Sequence, residues 1–568
     1  IPLQIRAVIQ SRLDKLSEES RAALGVAAAI GREFSFELLK ESSQLPAETL
    51  LNFLDEWLAR DLVRETNAGY DLTHEKLSQV AYQQLSRARR QWIHLQIARY
   101  LEAHVPDTDP AQLSNHYYLS SEPSCALPYL AQAGERALSV RSYAQAREFG
   151  LRAIGLLGRF PTLSQGQQTE RLDLTLQLAQ AHAYTGALPR ALEMLQEAER
   201  MAEAQGDISR LTQIFIRSAR IFWLRGYPQT ANDYARRSLR HAEELDDPPL
   251  RLAALRMLGR TGVILSQYDD AIADLLRYLD LAKQGLPPAD LPVIYGYLGV
   301  AYARVGSWQR AIDAAQVGLD LTNAGLPGST HVVARMQLAF IYAELHEWQQ
   351  ALSIAEPVRL LWEQEGMSPH FFMLRAVVGR SLVHTGSLAP GLAEIEAAHR
   401  WSEEVDYRIL SHLPWLFLGP CYQEAGDTER ALSTAHRAAE MAAHAGDRWA
   451  EAVARRTQAE IETQLPKPDW TRIERRLLDA RTTLREIRAR PDLARTYLAL
   501  RRLYDRAGQI AWAVDCHFRA TTIFDELGMT TELMIAQGQA AGERKGAIVI
   551  PDLDLRGPNL PGMEQSDL

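Results

Sequence analysis

Hydrophobic residues along most of this chain recur every three or four positions, which is the pattern of amphipathic helices. The pattern is clearest between Val293 and Leu321, where two such stretches are separated by Gly306. Gly299 lies on the apolar face of the first stretch, and Ala311 lies on the apolar face of the second. Residues this small allow two helices to approach closely. These positions therefore predict a unit of two antiparallel helices joined by a short turn.

This unit recurs at a fixed interval of 40 residues. Its small residues and its turn glycines keep the same register over most of the chain. The small residues are Ala231, Ala271, Ala311, Ala351, Gly391 and Ala431, and the turn glycines are Gly226, Gly306, Gly386 and Gly426. A period of this kind in a helical pattern predicts an α-solenoid. We expect nine or ten repeats over residues 127–528, a capping helix over 529–547 and a disordered tail or linker over 548–568.

The N-terminal part of the chain has another pattern. Residues 1–16 predict a helix, and three further helical segments precede two short strands, Leu62–Thr66 and Tyr70–Thr73, around a turn. Three helices followed by such a wing predict a winged-helix domain over residues 17–88, and residues 89–126 predict connecting helices. The predicted fold class is therefore all-α, with a small β-wing followed by the solenoid.

The winged helix lacks the charges that a DNA-binding surface needs. Its third helix is acidic, with Glu48, Asp55 and Glu56, whereas binding to phosphates requires Lys and Arg. The whole chain has a formal net charge of −9, and the short basic run from Arg87 to Arg90 is expected to face solvent. We therefore expect no direct DNA binding by this domain.

The composition is that of a folded protein. Of the 568 residues, 46% are hydrophobic and 23% are charged, which excludes a mainly disordered chain. No apolar run reaches transmembrane length and no signal peptide opens the sequence, so we expect a cytoplasmic protein that does not bind membranes. Cys125, Cys421 and Cys516 are too few and too far apart for a disulfide framework or a metal site. We expect all three to be buried in helix packing.

The repeat unit resembles the tetratricopeptide repeat, whose pattern is an aromatic residue, Leu-Gly, Tyr, a turn glycine and two alanines. One copy has Tyr295, Leu298, Gly299, Tyr302, Gly306 and Ala311, and another has Trp415, Leu418, Gly419, Tyr422, Gly426 and Ala431. The usual repeat is about 34 residues long, so the interval of 40 residues here is expected to lengthen both helices by less than one turn. The resemblance implies a right-handed superhelix.

A second resemblance covers residues 1–160. The runs SRLDKLSEES, AAIGREFSFELL, LDEWLARDLVRE and YDLTHEKLSQVAYQQLSRARRQWIHLQIARYLE resemble the winged-helix segment of STAND signal-transduction ATPases, a family that includes maltose-regulon-activator-like and cyclase-like bacterial regulators. In that family a nucleotide-binding AAA-type core precedes the segment. The phosphate-binding motif G-x-x-x-x-G-K-[ST] does not occur in this sequence. The resemblance implies a fragment without a cofactor of its own, whose upstream core binds ATP or ADP.

His74 is the candidate nucleotide-sensing residue. It follows the second wing strand in the run Leu72-Thr73-His74-Glu75. Related STAND ATPases carry a Met-His-Asp motif at this place, and the resemblance implies that His74 contacts the β-phosphate of ADP in the resting state. An imidazole at a helix N-terminus suits an anion. Only the histidine matches the motif, and the alternative interpretation is a residue that caps the helix or packs against the wing.

The first helices of the repeats predict a binding groove, because first helices line the inner side of such arrays. The candidate residues are arginines with apolar neighbours. They are Arg220, Trp223, Arg256, Arg260, Arg304, Met336, Phe340 and Arg380. Arginines in a groove suit an acidic peptide or a carboxylate-bearing ligand, since the guanidinium group binds carboxylates with two hydrogen bonds. The alternative is that these arginines pair with acidic neighbours within the superhelix.

No catalytic or metal-binding motif occurs in the sequence, so we expect no enzymatic activity of the fragment itself. The hypothesis that follows is a regulatory sensor. A protein, a peptide or a small effector would bind in the groove, and the winged helix would couple that binding to the upstream nucleotide switch in transcriptional or signalling control. The alternative hypothesis is a constitutive protein–protein interaction scaffold without a switch.

Overall fold

The chain forms two compact units. The computed structural model describes residues 9–67, 69–285, 290–322, 328–365 and 369–542. Unit 1 ends at Gly206 and unit 2 begins at Asp207. Residues 9–13 are helical, whereas the first eight positions of the helix predicted over 1–16 and the tail predicted over 548–568 lie outside the described residues.

Unit 1 begins with helices and a small sheet. In chain order these elements are α1 (Glu18–Ile30), β1 (Glu33–Phe34), α2 (Phe36–Ser43), α3 (Ala47–Ala59), β2 (Val63–Thr66) and β3 (Gly69–Leu72). α1 begins where the Ser17 hydroxyl accepts a hydrogen bond of 3.0 Å from the backbone N–H of Ser20, which satisfies one free donor of the first turn. The sequence predicts β2 and β3 but not β1, because two residues are too few to show a strand alternation.

The three strands form an antiparallel sheet in the order β1-β3-β2. Asp71 lies on the central strand, opposite Glu33 and Arg64. Its side chain is buried between two arginines, with Oδ1 3.2 Å from Nε of Arg32 and Oδ2 3.0 Å from Nε of Arg64. Asp71 therefore links β2 to the residue that immediately precedes β1.

The rest of unit 1 is helical. Its elements are α4 (Glu75–Gln83), α5 (Arg87–His104), α6 (Pro110–Leu119), a 3₁₀ turn (Pro123–Ala126), α7 (Leu127–Ser139), α8 (Tyr143–Leu157), α9 (Gln165–Tyr184) and α10 (Leu188–Gln205). His94 on α5 and His116 on α6 are buried, and their Nδ1 atoms lie 2.9 Å apart. The Tyr82 hydroxyl on α4 is 2.8 Å from the other ring nitrogen of His94. This chain of polar groups joins three helices in the core.

Unit 2 consists of consecutive helix pairs. They are α11 (Ile208–Leu224) with α12 (Pro228–Glu244), α13 (Pro248–Ile264) with α14 (Tyr268–Ala282), α15 (Leu291–Val305) with α16 (Trp308–Thr322), α17 (Gly328–Glu344) with α18 (Trp348–Glu365), α19 (Pro369–His384) with α20 (Leu388–Glu404), α21 (His412–Glu424) with α22 (Thr428–Ala445), α23 (Arg448–Glu462) with α24 (Trp470–Glu486), and α25 (Arg490–Arg506) with α26 (Ile510–Glu526); α27 (Thr530–Gly542) follows. Unit 2 is therefore an α-solenoid. None of the helices in the described part of the chain is both long and apolar enough to span a membrane.

Small residues lie where the two helices of a pair meet. Ala231, Ala271, Ala311, Ala351 and Ala431 are at most 1% exposed. At Gly379 and Gly391, where α19 crosses α20, an added Cβ on either residue would lie 2.5 Å from the backbone oxygen of the other. The backbones are thus in direct contact at this crossing, which explains why the repeated position is always small.

Unit 2 curls back on itself, so helix pairs that are far apart in sequence meet. The backbone N–H of Trp449 donates a hydrogen bond of 3.0 Å to Oγ of Ser266. Farther along, Arg495 donates one of 2.6 Å to the backbone oxygen of Glu344. Gly306 faces the side chain of Leu527. These contacts close the inner side of the superhelix, so that its first helices surround an interior.

Candidate functional site

The interior of unit 2 contains an apolar cavity of about 70 Å³, which we call the inner cavity. First helices of six consecutive pairs, α13 to α23, contribute to its wall. Its apolar lining includes Tyr297, Val300, Met336, Phe340, Met373 and Leu413. The volume is several times what one water molecule needs. The inner cavity can therefore accept a small apolar group.

Three polar side chains also line the inner cavity: Arg304, Gln337 and Asp447. Asp447 is occupied on both oxygens, because it caps α23 and accepts a hydrogen bond of 2.9 Å from Nε2 of His412. Gln337 is 3% exposed, and its Oε1 has no hydrogen-bond partner in the described part of the chain. A buried acceptor without a donor is costly, so this amide oxygen can accept a hydrogen bond from a donor that enters the cavity.

Arg304 is held in place by a buried carboxylate. Its Nη1 lies 2.9 Å from Oε2 of Glu344, and the two side chains are 8% and 5% exposed. The guanidinium group also stacks on Trp449, 3.1 Å from the ring centroid, and lies 4.9 Å from that of Phe340. Arg304 therefore lines the inner cavity with its charge already neutralised.

Glu344 is the centre of a larger ionic network. Its other oxygen, Oε1, is 2.7 Å from Nη1 of Arg380. Burial alone would raise the pKa of Glu344, but the guanidinium groups of Arg380 and Arg304 hold it below its ordinary value. Arg495 continues the network to Asp492 and Glu532 at 3.3 and 2.6 Å. Arg304 and Arg380, both predicted from sequence to line a groove, thus tie neighbouring helix pairs together through Glu344.

The remaining predicted groove residues occupy different surroundings. Arg256 forms an ion pair with Asp290, and Trp223 is 7% exposed in the core. Arg220 is exposed on α11. Met336 and Phe340 line the inner cavity. The alternative interpretation, pairing with acidic neighbours, therefore describes Arg256, Arg304 and Arg380, while ligand binding at any of the predicted positions stays a prediction.

Arg260 differs from the other interior arginines. No carboxylate lies within ion-pair distance of it in the described part of the chain, and its buried Nε has no hydrogen-bond acceptor there. Its guanidinium group lies over the ring of Tyr297, 5.5 Å from the centroid. Burial lowers the pKa of Arg260, because desolvation disfavours the charged form. Tyr297 itself lines the inner cavity, so this unpaired cation lies at the edge of the apolar space.

The segment between α20 and α21, residues 405–411, enters the interior, and we call it the inner loop. Its Leu410 lines the inner cavity. Arg408 packs against the turn after α11, where an added Cβ on Gly226 would be 2.7 Å from the Cβ of Arg408. The sequence did not predict this loop. A weak signal for it existed in the longer connection before His412, but residue types alone do not show that a loop turns inward.

On its other side the inner loop borders a polar cavity of about 450 Å³. The lining carries arginines, histidines and carboxylates in similar number, among them Arg225, Arg437, His444, Glu403 and Glu440. Arg437 pairs with Glu440 at 3.3 Å, and Arg408 of the inner loop pairs with Asp406. Because these charges neutralise one another, the polar cavity indicates no particular ligand.

His74 lies in unit 1, immediately before α4. Its side chain is exposed and forms no capping hydrogen bond with the helix. A hydrogen-bonded cap is therefore absent at this residue, while packing of the ring between the wing and the helix and contact with a nucleotide both stay predictions.

The described residues contain no group of His, Cys, Asp and Glu side chains arranged to hold a metal ion. Cys421 and Cys516 are buried, as predicted, and burial raises the pKa of each thiol to about 12. The prediction is wrong for Cys125, which is exposed. It lies in the 3₁₀ turn rather than in a packed helix, so no second helix covers it.

Neither a protein-family model nor a curated protein matches this chain. Solved structures similar to it include a STAND ATPase with a tetratricopeptide-repeat sensor from Pyrococcus horikoshii, at 14% identity and a TM-score of 0.44; the match covers 76% of this chain and 64% of that one. A Rap protein complexed with competence and sporulation factor has 13% identity and a TM-score of 0.46, over 72% of this chain and 99% of that one. The Cut9 complex with Hcn1 has 14% identity and a TM-score of 0.44, over 81% and 88%. All three TM-scores are low, so these similarities do not indicate a function.

Proposed function

We propose that this chain is the sensor part of a STAND-type signal-transduction ATPase, in which unit 2 binds an effector in its inner cavity. One observation carries the proposal: an apolar cavity in the solenoid interior whose wall is built from six helix pairs. A group bound there contacts all of these pairs at once. Binding can therefore shift the population of open and closed arrangements of the solenoid.

Unit 1 would pass this change to a nucleotide-binding core. The order helix, strand, helix, helix, strand, strand in residues 18–72 supports a winged helix, and the acidic third helix supports a role other than DNA binding. His74 is exposed at the start of α4, where it is available to the β-phosphate of ADP on a neighbouring domain. The output would be transcriptional or signalling control.

The binding step is tested with the chain itself. Trp449 lines the inner cavity, so its fluorescence should change when a small apolar ligand enters. Val300→Phe would fill the space and should abolish the change, whereas Leu276→Phe on the exposed face of α14 should leave it intact. Ligand binding that survives Val300→Phe in a folded protein would place the effector elsewhere.

The nucleotide switch is tested on the complete open reading frame. A Walker A motif upstream of residue 1 is expected, and His74→Ala in that protein should speed the release of ADP. Release at the rate of the parent protein would remove the sensing role of His74, and an open reading frame without any phosphate-binding motif would remove the switch.

A constitutive interaction scaffold is the second candidate. It is favoured by an apolar stripe on α26, where Ile510, Val514 and Phe518 are 62%, 61% and 60% exposed at a spacing of four residues, so that they share one helix face. Exposed apolar stripes of this kind often contact other proteins. A scaffold would keep its partner in the Val300→Phe variant and lose it in the Phe518→Glu variant. A sensor would lose its effector in the Val300→Phe variant and keep it in the Phe518→Glu variant.

A further inference from the structure

The inner cavity is apolar on most of its wall, but two arginines beside it differ in their partners. Arg304, which lines the cavity, is neutralised by Glu344. Arg260, which lies over the wall residue Tyr297, has no carboxylate within ion-pair distance in the described part of the chain. Burial disfavours its charged form, and Asp290 attracts it only from beyond ion-pair distance. A largely desolvated cation without a direct ion pair is costly to the folded protein. Chains rarely keep such a group in the interior unless something else neutralises it.

Helical spacing connects Arg260 to the cavity. Val263 and Ile264, three and four positions later on α13, line the inner cavity and share a face with Arg260. Tyr297 on α15 lines the cavity and lies under the guanidinium group at 5.5 Å. The Arg260 guanidinium therefore packs on one wall residue of the cavity, and Arg260 lies one helical turn from two others.

Further groups around Arg260 add polar donors. Tyr407 of the inner loop and Tyr297 are partly buried phenols that interact electrostatically with Arg260. Burial raises the pKa of both phenols, so they stay protonated and can donate hydrogen bonds. Arg256 lies one turn before Arg260, and its Nε has no acceptor in the described residues although its Nη1 pairs with Asp290. Carboxylate oxygens would satisfy these donors together.

We infer that the effector of the inner cavity is a small organic acid, with an aromatic or short aliphatic body in the apolar space and its carboxylate on Arg260. This inference rests on the proposed function and names the ligand class of the same site. A ligand without charge would leave the Arg260 guanidinium unpaired, and a small polar anion would leave the apolar wall unfilled. The cavity volume of about 70 Å³ also favours a compact body, such as one aromatic ring, over a folded peptide segment.

The test uses the whole chain and three probes. 3-Phenylpropionate combines the carboxylate with an apolar body, 3-phenylpropionamide keeps the body without the charge, and succinate keeps the charge without the body. Binding is followed by isothermal titration calorimetry and by Trp449 fluorescence. We expect 3-phenylpropionate to bind at least about tenfold more tightly than either other probe, because a charged hydrogen bond and the apolar burial each contribute.

Two arginine variants test whether Arg260 binds the carboxylate of the probe. Arg260→Met should weaken the binding of 3-phenylpropionate by at least about tenfold and leave the affinity for 3-phenylpropionamide unchanged. Arg277→Met is the matched control, since Arg277 lies on the outer helix α14 with its side chain 52% exposed. Arg277→Met should leave the affinities for all three probes unchanged.

The outcomes separate the ligand class from the site. If the amide binds as tightly as the acid and Arg260→Met changes nothing, while Val300→Phe abolishes binding, the inner cavity is the site but the organic-acid class is wrong. If none of the probes binds up to its solubility limit, both inferences are overturned. Should Val300→Phe fail to fold, as judged by its circular dichroism, Met336→Phe fills the same cavity. Loss of binding in that variant then identifies the inner cavity as the site.

Discussion

Arg304 and Glu344 form a buried ion pair between α15 and α17, with Nη1 and Oε2 2.9 Å apart. Arg380 reaches the other carboxylate oxygen at 2.7 Å, so one carboxylate neutralises two cations from neighbouring helix pairs. Arg495, from a helix pair about 150 residues farther on, donates to the backbone oxygen of the same glutamate. Glu344 therefore holds together both adjacent turns and distant turns of the solenoid.

Replacing Glu344 should strongly destabilise unit 2. Glu344→Gln leaves Arg304 and Arg380 buried without a counter-ion, which costs about 3–5 kcal/mol in comparable cases. The measurement is the free energy of unfolding from urea titration. Glu356→Gln is the matched control, because its ion pair with Arg359 is exposed and should change stability by less than about 0.5 kcal/mol. Equal stability of both variants would mean that Glu344 does not hold the turns together.

Arg260→Met should behave in the opposite way when no ligand is present. Arg260 has no ion-pair partner in the described residues to lose, and the substitution removes a desolvated charge while it keeps most of the side-chain volume. We expect a melting temperature equal to or higher than that of the parent chain, as is typical when binding residues are replaced by apolar ones. Differential scanning calorimetry of Arg260→Met and Arg304→Met side by side checks this. A loss of stability as large as that of Arg304→Met would assign Arg260 a structural role.

Gly391 is required by a helix crossing rather than by a turn. An added Cβ would lie 2.5 Å from the backbone oxygen of Gly379 and 2.8 Å from the backbone nitrogen of Val383, so Gly391→Ala should separate α19 from α20 and cost about 1–3 kcal/mol. Gly538→Ala is the control, since Gly538 lies within α27 with nothing near an added Cβ. Its substitution should stabilise the helix slightly. Urea titration of both variants should give changes of opposite sign.

Gly391 also illustrates what the sequence could predict. The column of small residues from Ala231 to Ala431 is local information, because each member packs against the partner helix a few positions away. That column, together with the turn glycines, predicts the helix pairs of unit 2. The wing strands β2 and β3 follow in the same way from alternation within a few residues. Such features depend on contacts between residues that are close in sequence.

The interior of unit 2 could not be predicted in this way. Whether Arg304 meets Trp449 depends on the small rotation from each helix pair to the next, summed over several pairs. The accumulated rotation cannot be read from the residue type at any single position. The same holds for the inner loop. The longer connection before His412 indicates a loop, but it does not show that Leu410 lines the cavity. The candidate groove was therefore found as a set of positions on first helices, but the sequence did not distinguish the unpaired Arg260 from the paired Arg304.

The buried histidines of unit 1 predict a loss of stability in acid. Burial, with a smaller contribution from Arg90, lowers the pKa of His94 to about 4, and burial next to His94 lowers that of His116 to about 3. An unfolded histidine has a pKa near 6.5. Between these values the unfolded chain binds more protons, so this stabilisation is complete above about pH 6.5 and is lost as the pH falls toward 4.

At pH 5 each histidine should reduce stability by roughly 2 kcal/mol relative to neutral pH. The check is the free energy of unfolding of unit 1 as a function of pH, followed by the fluorescence of Trp92, which packs against its core. His116→Gln should reduce the slope between pH 6.5 and 4, because one of the two groups no longer titrates. His436→Gln is the control, since His436 is 67% exposed and its replacement should leave the slope unchanged. A slope that is the same in His116→Gln as in the parent chain would assign the acid sensitivity to other groups.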